Sequence, residues 1–218
     1  KSNLIALGSS FISVSGKKVE DGISYTCSPN LNTTIINNYY LGENYPPIGN
    51  SDCVTRAYDC VVDSSNGNYY EIGMTQLNGT TTQGGYVKKN TNSYTDDNLA
   101  LNLLTNSSSS VNFDGTQSMD ICTDGNVMIT YSTYPIGGPN TCAIIKLNKT
   151  PTTIITGRYN LPKIWGRNLT LNNSIYTKKI RTDGSNNVYV VINDITNTVG
   201  YLIKYNSSGT IQWQKQIN

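Results

Sequence analysis

Histidine is absent from this chain of 218 residues, and charged residues are scarce. Without histidine, neither a Ser-His-Asp triad nor a His-Glu-x-x-His zinc site can form, and zinc would need thiolate ligands alone. Charged residues make up 14% of the chain and the net charge is +2, with no basic block that would hold a phosphate backbone. We therefore expect no enzymatic activity, no cofactor, no metal site and no nucleic-acid partner.

Long apolar runs are also missing, since no segment approaches the roughly 18 apolar residues of a membrane-spanning helix. The sequence therefore predicts no membrane span. Tyrosine is abundant instead, with 16 residues beside only 2 phenylalanines. Tyr and Thr suit half-buried strands, and Asn, Ser and Gly suit tight turns. This composition predicts an all-β protein that works outside the cell, on a cell surface or a virion.

The five cysteines form no Cys-x-x-Cys motif, and their odd number leaves at least one unpaired within the chain. Two interpretations stay open. The cysteines are either small buried apolar residues or partners in one or two disulfides, as suits an extracellular protein. Because short loops close at low entropic cost, the disulfide hypothesis pairs Cys53 with Cys60 and Cys122 with Cys142.

A strand-turn-strand pattern at the end of the chain recurs upstream. The segment 201–214 aligns without a gap with 143–156, so that Lys204 falls on Lys146. The four copies of the pattern, of which the second is the loosest, are 23–36, 86–99, 143–156 and 201–214. Each copy predicts two consecutive strands of one sheet.

A second pattern, an apolar run before a turn and an alternating strand, precedes each copy. Its turn aspartates are Asp63, Asp124 and Asp183, which recur every 59 to 61 residues. The opening segment 4–14 has the same shape, with Gly8 in the turn position. Asp and Gly between apolar runs predict a hairpin, since Gly tolerates positive φ. A period of this length that contains strands indicates a repeat architecture.

Four-stranded antiparallel units with short connections are the blades of β-propellers. The segment 177–218 resembles the β-propeller repeat of secreted bacterial proteins and phage tail proteins, in which a Lys-Tyr-Asp-Ser-Ser-Gly turn precedes a Trp-containing outer strand. Trp213 holds the Trp position, which Ile155 and Ile35 take in other copies. The resemblance implies a β-propeller-like array of about four four-stranded antiparallel blades, and an open stack of hairpins or a β-sandwich stays the alternative. The blades of this single domain, 1–218, are expected at about 1–45, 54–105, 116–160 and 175–218.

Surface chemistry offers two kinds of candidate site. Aromatic faces bind sugar rings, and the candidates for carbohydrate contact are Tyr39, Tyr40, Tyr45, Tyr69, Tyr70 and Trp165. The alternative is that these rings fill strand faces. Asn-x-Ser/Thr triplets make candidate glycosylation sites of Asn32, Asn78, Asn106, Asn168, Asn172 and Asn206. The segments 63–68 and 183–187 hint at calcium loops, but the EF-hand glutamate and spacing are missing, which favours plain turns.

These observations favour a non-enzymatic extracellular structural or adhesive module, a subunit of a surface filament or of a virion or tail. Its expected partners are further copies of itself or other surface or virion proteins. A lectin-like propeller that binds carbohydrate is the alternative. A glycoside hydrolase is a remote alternative that requires two facing carboxylates, for which the acidic candidates are Glu20, Asp21, Asp52, Asp59, Asp96 and Asp97.

Overall fold

The computed structural model of the protein describes residues 4–14, 17–27, 34–35, 53–66, 68–77, 83–90, 100–103, 111–113, 117–135, 140–155, 158–170 and 174–217. Across these ranges the chain forms strands and turns and contains no helix, which confirms the predicted all-β class. The described segments accordingly include no helix with the length and apolar character needed to cross a membrane.

The strands form four sheets that follow one another along the chain. The first sheet consists of β1 (Leu4–Val14), β2 (Lys17–Cys27) and β3 (Thr34–Ile35). The second consists of β4 (Cys53–Val62), β5 (Tyr69–Leu77), β6 (Gln83–Asn90) and β7 (Ala100–Leu103), extended by β13 (Arg158–Asn160) and β12 (Thr152–Ile155). In the third, β8 (Val111–Phe113) and β9 (Ser118–Ile121) both pair with β10 (Val127–Pro135), followed by β11 (Thr141–Leu147) and β14 (Lys163–Thr170). The last sheet is β15 (Ile175–Thr182), β16 (Val188–Asp194), β17 (Val199–Tyr205) and β18 (Ile211–Ile217).

The last sheet shows why these residues form strands. Buried and half-buried side chains alternate along all of β16. Successive side chains of a strand point to opposite faces of the sheet, so one face of β16 is buried and the other is half-buried. The flanking turns are closed by their own side chains: Asp183 Oδ1 accepts a hydrogen bond from Asn187 N at 2.9 Å, and Asn206 Oδ1 accepts one from Thr210 N at 2.8 Å. The predicted sequence of strands and turns over 175–218 is therefore confirmed.

The hairpins predicted at the other two turn aspartates also form. Asp63 N donates to Asn68 O at 2.7 Å between β4 and β5. Between β9 and β10, Gly125 N donates to Cys122 O at 2.8 Å, and Gly125 has the positive φ of 78° that the turn requires. All described strand pairs are antiparallel except a short parallel pairing of β13 with β7.

The sheets pack face against face in chain order. One apolar cluster combines Tyr70 and Ile72 of the second sheet with Val127 and Ile129 of the third. A second cluster combines the opposite face of the third sheet with the last sheet. We call the side of a sheet that packs on the preceding sheet its leading face, and the other its trailing face. The trailing face of the third sheet contributes Met128, Cys142, Ile144, Trp165 and Leu169 to the second cluster.

The third and last sheets pair equivalent residues across their strands. Trp165 of β14 lies opposite Lys146 of β11, and Trp213 of β18 lies opposite Lys204 of β17, with an irregularity immediately after each lysine. The connection before the outer strand is closed in the same way, because Asn148 N donates to Pro162 O and Asn206 N donates to Thr210 O. The third sheet differs in the additional strand β8 and in the longer connection, which carries the β12–β13 hairpin.

The ungapped alignment of the repeats is therefore wrong beyond the turn at Asn148. It placed the fourth strand of the third unit within 143–156 and matched Trp213 with Ile155. Thr152–Ile155 instead pairs with β13, and the fourth strand is Lys163–Thr170. The inserted hairpin supplies a β-branched strand at the place where the outer strand was expected, which disguises the insertion in the sequence.

The expected turn at Gly8 is also wrong. Leu4–Val14 is one continuous strand, in which Gly8 pairs with Ile23 of β2. Gly8 lacks a neighbouring Asp or Asn that would bond the turn backbone, and a lone Gly is compatible with a strand interior.

Candidate assembly interface

Trp165 is the centre of the contact between the third and last sheets. Its ring is 9% exposed, and its Nε1 donates to Ser207 O at 3.0 Å. Gly209 approaches the ring so closely that a Cβ atom there would lie 2.8 Å from it. Arg167 lies 5.7 Å from the centre of the same ring and donates from Nε to Gly209 O at 2.8 Å. Backbone carbonyls in the 206–210 turn of the last sheet thus accept hydrogen bonds from the outer strand of the third sheet.

The contact between the second and third sheets repeats this arrangement. Lys89 of β6 donates from Nζ to Lys149 O at 2.8 Å and lies 5.7 Å from the centre of the Tyr70 ring. Lys149 follows the turn residue Asn148 as Ser207 follows Asn206 in the last sheet. At both contacts, the carbonyl after the turn asparagine therefore accepts a hydrogen bond from the trailing face of the preceding sheet.

The trailing face of the last sheet carries the equivalent residues, and no other described sheet covers them. The shared register aligns Tyr189, Leu202 and Trp213 with Met128, Ile144 and Trp165. The three residues of the third sheet are between 0% and 9% exposed, whereas their counterparts are all partly exposed. Ile217, the counterpart of Leu169, is 47% exposed. The last sheet therefore presents an apolar face of the kind that the third sheet buries.

Two cations complete this trailing face. Lys204 Nζ lies 5.2 Å from the centre of the Tyr189 ring, and Lys215 Nζ lies 5.5 Å from that of Trp213. The two rings meet edge to face at 6.1 Å, an arrangement that favours aromatic pairs. Lys215 occupies the register position of Arg167, so a cation stands over the tryptophan of the outer strand in both sheets.

Strands β4, β9 and β15 of three different sheets converge on Asp59. Its Oδ2 accepts hydrogen bonds from Ser118 Oγ at 2.8 Å, Met119 N at 3.0 Å and Lys179 Nζ at 2.8 Å. Burial raises the pKa of this carboxyl, but the hydrogen bonds from these three residues outweigh burial and hold the pKa below its ordinary value. Lys179 on the last sheet is therefore tied to the second sheet across the edge of the third.

The carboxylates of Asp63 and Asp183 accept hydrogen bonds from residues of their own hairpins. Asp63 accepts hydrogen bonds from Ser65 and Asn66, and Asp183 accepts them from Asn187 and Tyr189. The pKa of Asp183 is lowered to about 2, chiefly because the Asn187 side chain donates a hydrogen bond to its carboxylate. No group of three or more His, Cys, Asp or Glu residues suited to a metal occurs within the described part of the chain. The preference for turns over calcium loops agrees with this bonding.

Three of the aromatic residues proposed for carbohydrate contact lie within the described part of the chain, and all three are buried. Tyr69, Tyr70 and Trp165 are 3%, 1% and 9% exposed, so their ring faces are not available as a sugar platform. They fill strand faces, as the alternative interpretation holds. Tyr39, Tyr40 and Tyr45 lie outside the described residues.

Two of the candidate glycosylation sites lie on described backbone. Asn168 is exposed on β14, and Asn206 is partly exposed in a turn, where its Oδ1 accepts hydrogen bonds from Ser208 and Thr210. The remaining candidates lie outside the described residues, namely Asn32, Asn78, Asn106 and Asn172.

Both predicted disulfides are wrong, since Cys60 of the first pair and Cys122 of the second are free thiols. Cys53 and Cys60 lie on the single strand β4, where seven steps span roughly 23 Å, against a limit of about 7 Å between bridged Cα atoms. Cys122 lies beside Asn126 at one end of β10, and Cys142 pairs with a residue nearer the other end. Burial raises the pKa of Cys60 and Cys122 to about 11.

Among the acidic candidates, Asp59 is bonded to Lys179 rather than facing another carboxylate. Glu20 and Asp21 occupy consecutive positions on β2, opposite Phe11 and Ser10. The other three, Asp52, Asp96 and Asp97, lie outside the described residues.

Sequence reasoning missed the interface role of Trp165 and Arg167, although a motif marks it. The outer strands read Trp-Gly-Arg-Asn-Leu from Trp165 and Trp-Gln-Lys-Gln-Ile from Trp213. Both place an aromatic ring, a cation and an aliphatic side chain at alternate positions, which lie on one face of a strand. The ungapped alignment concealed this match.

The sequence matches no protein-family model and has no significant match among curated proteins.

Proposed function

We propose that this protein is a non-enzymatic extracellular structural or adhesive module, a subunit of a surface filament or of a virion or tail. Its sheets act as the blades of a propeller-like array of about four units, and the module assembles with its neighbours through such units. One observation carries the proposal: the last sheet exposes the same face that the third sheet buries, with Trp213 and Ile217 in the places of Trp165 and Leu169.

The physics of stacked repeats supports assembly. Each sheet buries its apolar faces only when a neighbour lies against it, so a face that no described sheet covers is suited to bind a further unit. Exposed apolar patches rimmed by polar groups mark interaction sites, and Trp213 with Tyr189 and two lysines fits that description. The low charge of the chain and its turn-rich strands suit an extracellular module.

Electron microscopy of the native material, combined with sedimentation equilibrium of the purified protein, tests this proposal. We expect rings, fibres or virion-associated density, and a weight-average mass that rises with concentration. A monodisperse monomer at the highest attainable concentration, with no ordered assembly in native material, would contradict it.

The alternatives receive less support from the described residues. Carbohydrate binding is less well supported because Tyr69, Tyr70 and Trp165, three of its candidate contact residues, are buried. A glycoside hydrolase needs two opposed carboxylates, and Asp59 is engaged with Lys179. A glycan array without hits would count further against the first.

A further inference from the structure

We propose that the trailing face of the last sheet binds a neighbouring protein subunit that supplies a carboxylate to Lys204. In the complex, apolar side chains of the neighbour cover Trp213 and Ile217, and one of its Asp or Glu residues accepts a hydrogen bond from Lys204 Nζ. The inference rests on the proposed function, and it adds the surface of assembly and the chemistry of the partner.

The first step concerns the lysine on the trailing face of the third sheet, which the last sheet covers. Lys146 is 5% exposed, and its Nζ lies 2.8 Å from Asp124 Oδ2 in an ion pair. Asp124 belongs to the turn between β9 and β10 of the same sheet. Burial of an unpaired ammonium group is costly, so this aspartate makes Lys146 compatible with the sheet that covers it.

The second step is that the corresponding turns of the third and last sheets have the same conformation. In both, the N–H of the first residue donates to the carbonyl of the fifth, at 2.8 Å in 122–126 and at 3.0 Å in 183–187. The fourth residue has a positive φ in each turn, 78° at Gly125 and 60° at Asn186. The third residue is therefore Asp124 in one turn and Ser185 in the other.

The third step is that Lys204 holds the register position of Lys146 but lacks its carboxylate. Ser185 carries no charge, and Asp183, the acidic residue of this turn, accepts a hydrogen bond from Tyr189 instead. Among the described residues, no carboxylate forms an ion pair with Lys204, whose Nζ lies 5.2 Å from the centre of the Tyr189 ring. A partner that buries this face must therefore supply the negative charge itself.

The apolar residues around Lys204 favour a protein as that partner. Leu202, Trp213 and Ile217 hold the positions that a protein sheet covers at the preceding contact. Complementary interfaces bring unlike charges together, and their cores match apolar side chains with apolar side chains. The trailing face therefore fits a subunit surface that carries apolar residues beside an exposed carboxylate.

Zero-length cross-linking of native assemblies tests the contact. A carbodiimide couples a lysine amine only to a carboxylate that lies against it. We expect mass spectrometry to find Lys204 joined to an Asp or Glu of a neighbouring subunit. Lys163, which is exposed on β14 of the third sheet, is the control and should form no such product in comparable yield.

Three variants separate the charge from the apolar contact. Ser185→Asp gives Lys204 an internal partner like that of Lys146, so the neighbour's carboxylate would meet a second carboxylate. Lys204→Gln leaves the neighbour's carboxylate unpaired. Each should raise the concentration needed for half-incorporation by about tenfold or more, whereas Lys163→Gln should stay within about twofold of the unmodified protein.

Incorporation is measured by co-sedimentation of each fluorescently labelled variant with native subunits that have been dissociated and allowed to reassemble. Circular dichroism checks that every variant is folded. Native material without ordered assembly, together with a purified protein that stays monomeric, overturns both this inference and the proposed function.

Two further outcomes overturn the inference and leave the proposed function standing. One is an ordered assembly in which Lys204 couples to no other subunit, or which the three variants affect equally. The other is coupling of Lys204 to the carboxylate of an acidic sugar, which overturns the choice of a protein partner.

Discussion

The contact between Gly209 and Trp165 predicts an unusually costly Gly-to-Ala substitution. Gly209 has a φ of 78°, and an added Cβ would lie 2.8 Å from two ring atoms of Trp165. A left-handed conformation costs Ala about 1–2 kcal/mol, and crowding against a packed side chain adds about 1–3 kcal/mol. We expect Gly209→Ala to lower the free energy of unfolding by about 2–5 kcal/mol.

Two other glycines separate these two costs. Gly125 has the same φ of 78°, but its added Cβ would meet the flexible end of Lys149 at 2.9 Å. Gly125→Ala should therefore cost only the conformational part, about 1–2 kcal/mol. A Cβ added to Gly184 would meet no heavy atom within 4 Å, and this glycine has no positive φ. Gly184→Ala should therefore stay within about 0.5 kcal/mol of the unmodified protein.

Urea denaturation followed by circular dichroism measures all three variants on one scale. Replacing Trp165 with Leu removes the ring, so the double variant with Gly209→Ala should recover about 1–3 kcal/mol relative to the sum of the single changes. Equal losses for Gly209→Ala and Gly125→Ala, with no coupling to Trp165, would refute the described packing of the last two sheets.

Three further predictions concern other sites. The pKa of Asp59 is lowered on folding from its ordinary value of 3.8, so its stabilisation is complete above that value and is lost as pH falls through the folded pKa. Asp59→Asn should therefore reduce the acid-induced loss of unfolding free energy below about pH 4, measured by urea denaturation; an unchanged pH profile would contradict the Lys179 contact. Cys122 is a buried free thiol and should react with a thiol reagent only after denaturation, whereas rapid native labelling would place it at the surface. Asn168 is exposed, so secretion from a glycosylating host should add a glycan there, and an intact mass unchanged by glycan removal would rule this out.

The hairpins of the fold could be predicted because their signals are local. Asp63, Asp124 and Asp183 each begin a turn whose backbone the carboxylate itself bonds, and the alternation in β16 follows from its two unlike surroundings. The register between Lys204 and its counterpart Lys146 was likewise visible in the sequence and is confirmed by the strand pairing.

Features that depend on non-local pairing were not predicted. The outer strand at Trp165 lies beyond an inserted hairpin, whose Thr152–Ile155 strand has the same β-branched character as the expected one. Cysteine pairing failed for a related reason, because a short separation in sequence brings two residues together only across a turn, whereas Cys53 and Cys60 share the extended strand β4. The interface residues were hidden by the same insertion, since Trp165 and Trp213 match only after it is removed.

The bond from Lys179 to Asp59 joins residues 120 positions apart, and it skips the neighbouring sheet. In a simple row of repeats each unit holds only the next, so units can detach from the end one at a time. Here, separating the last sheet from the third also breaks the hydrogen bond between Lys179 of the last sheet and Asp59 of the second. The ion pair therefore couples the last sheet to the second as well as to the third.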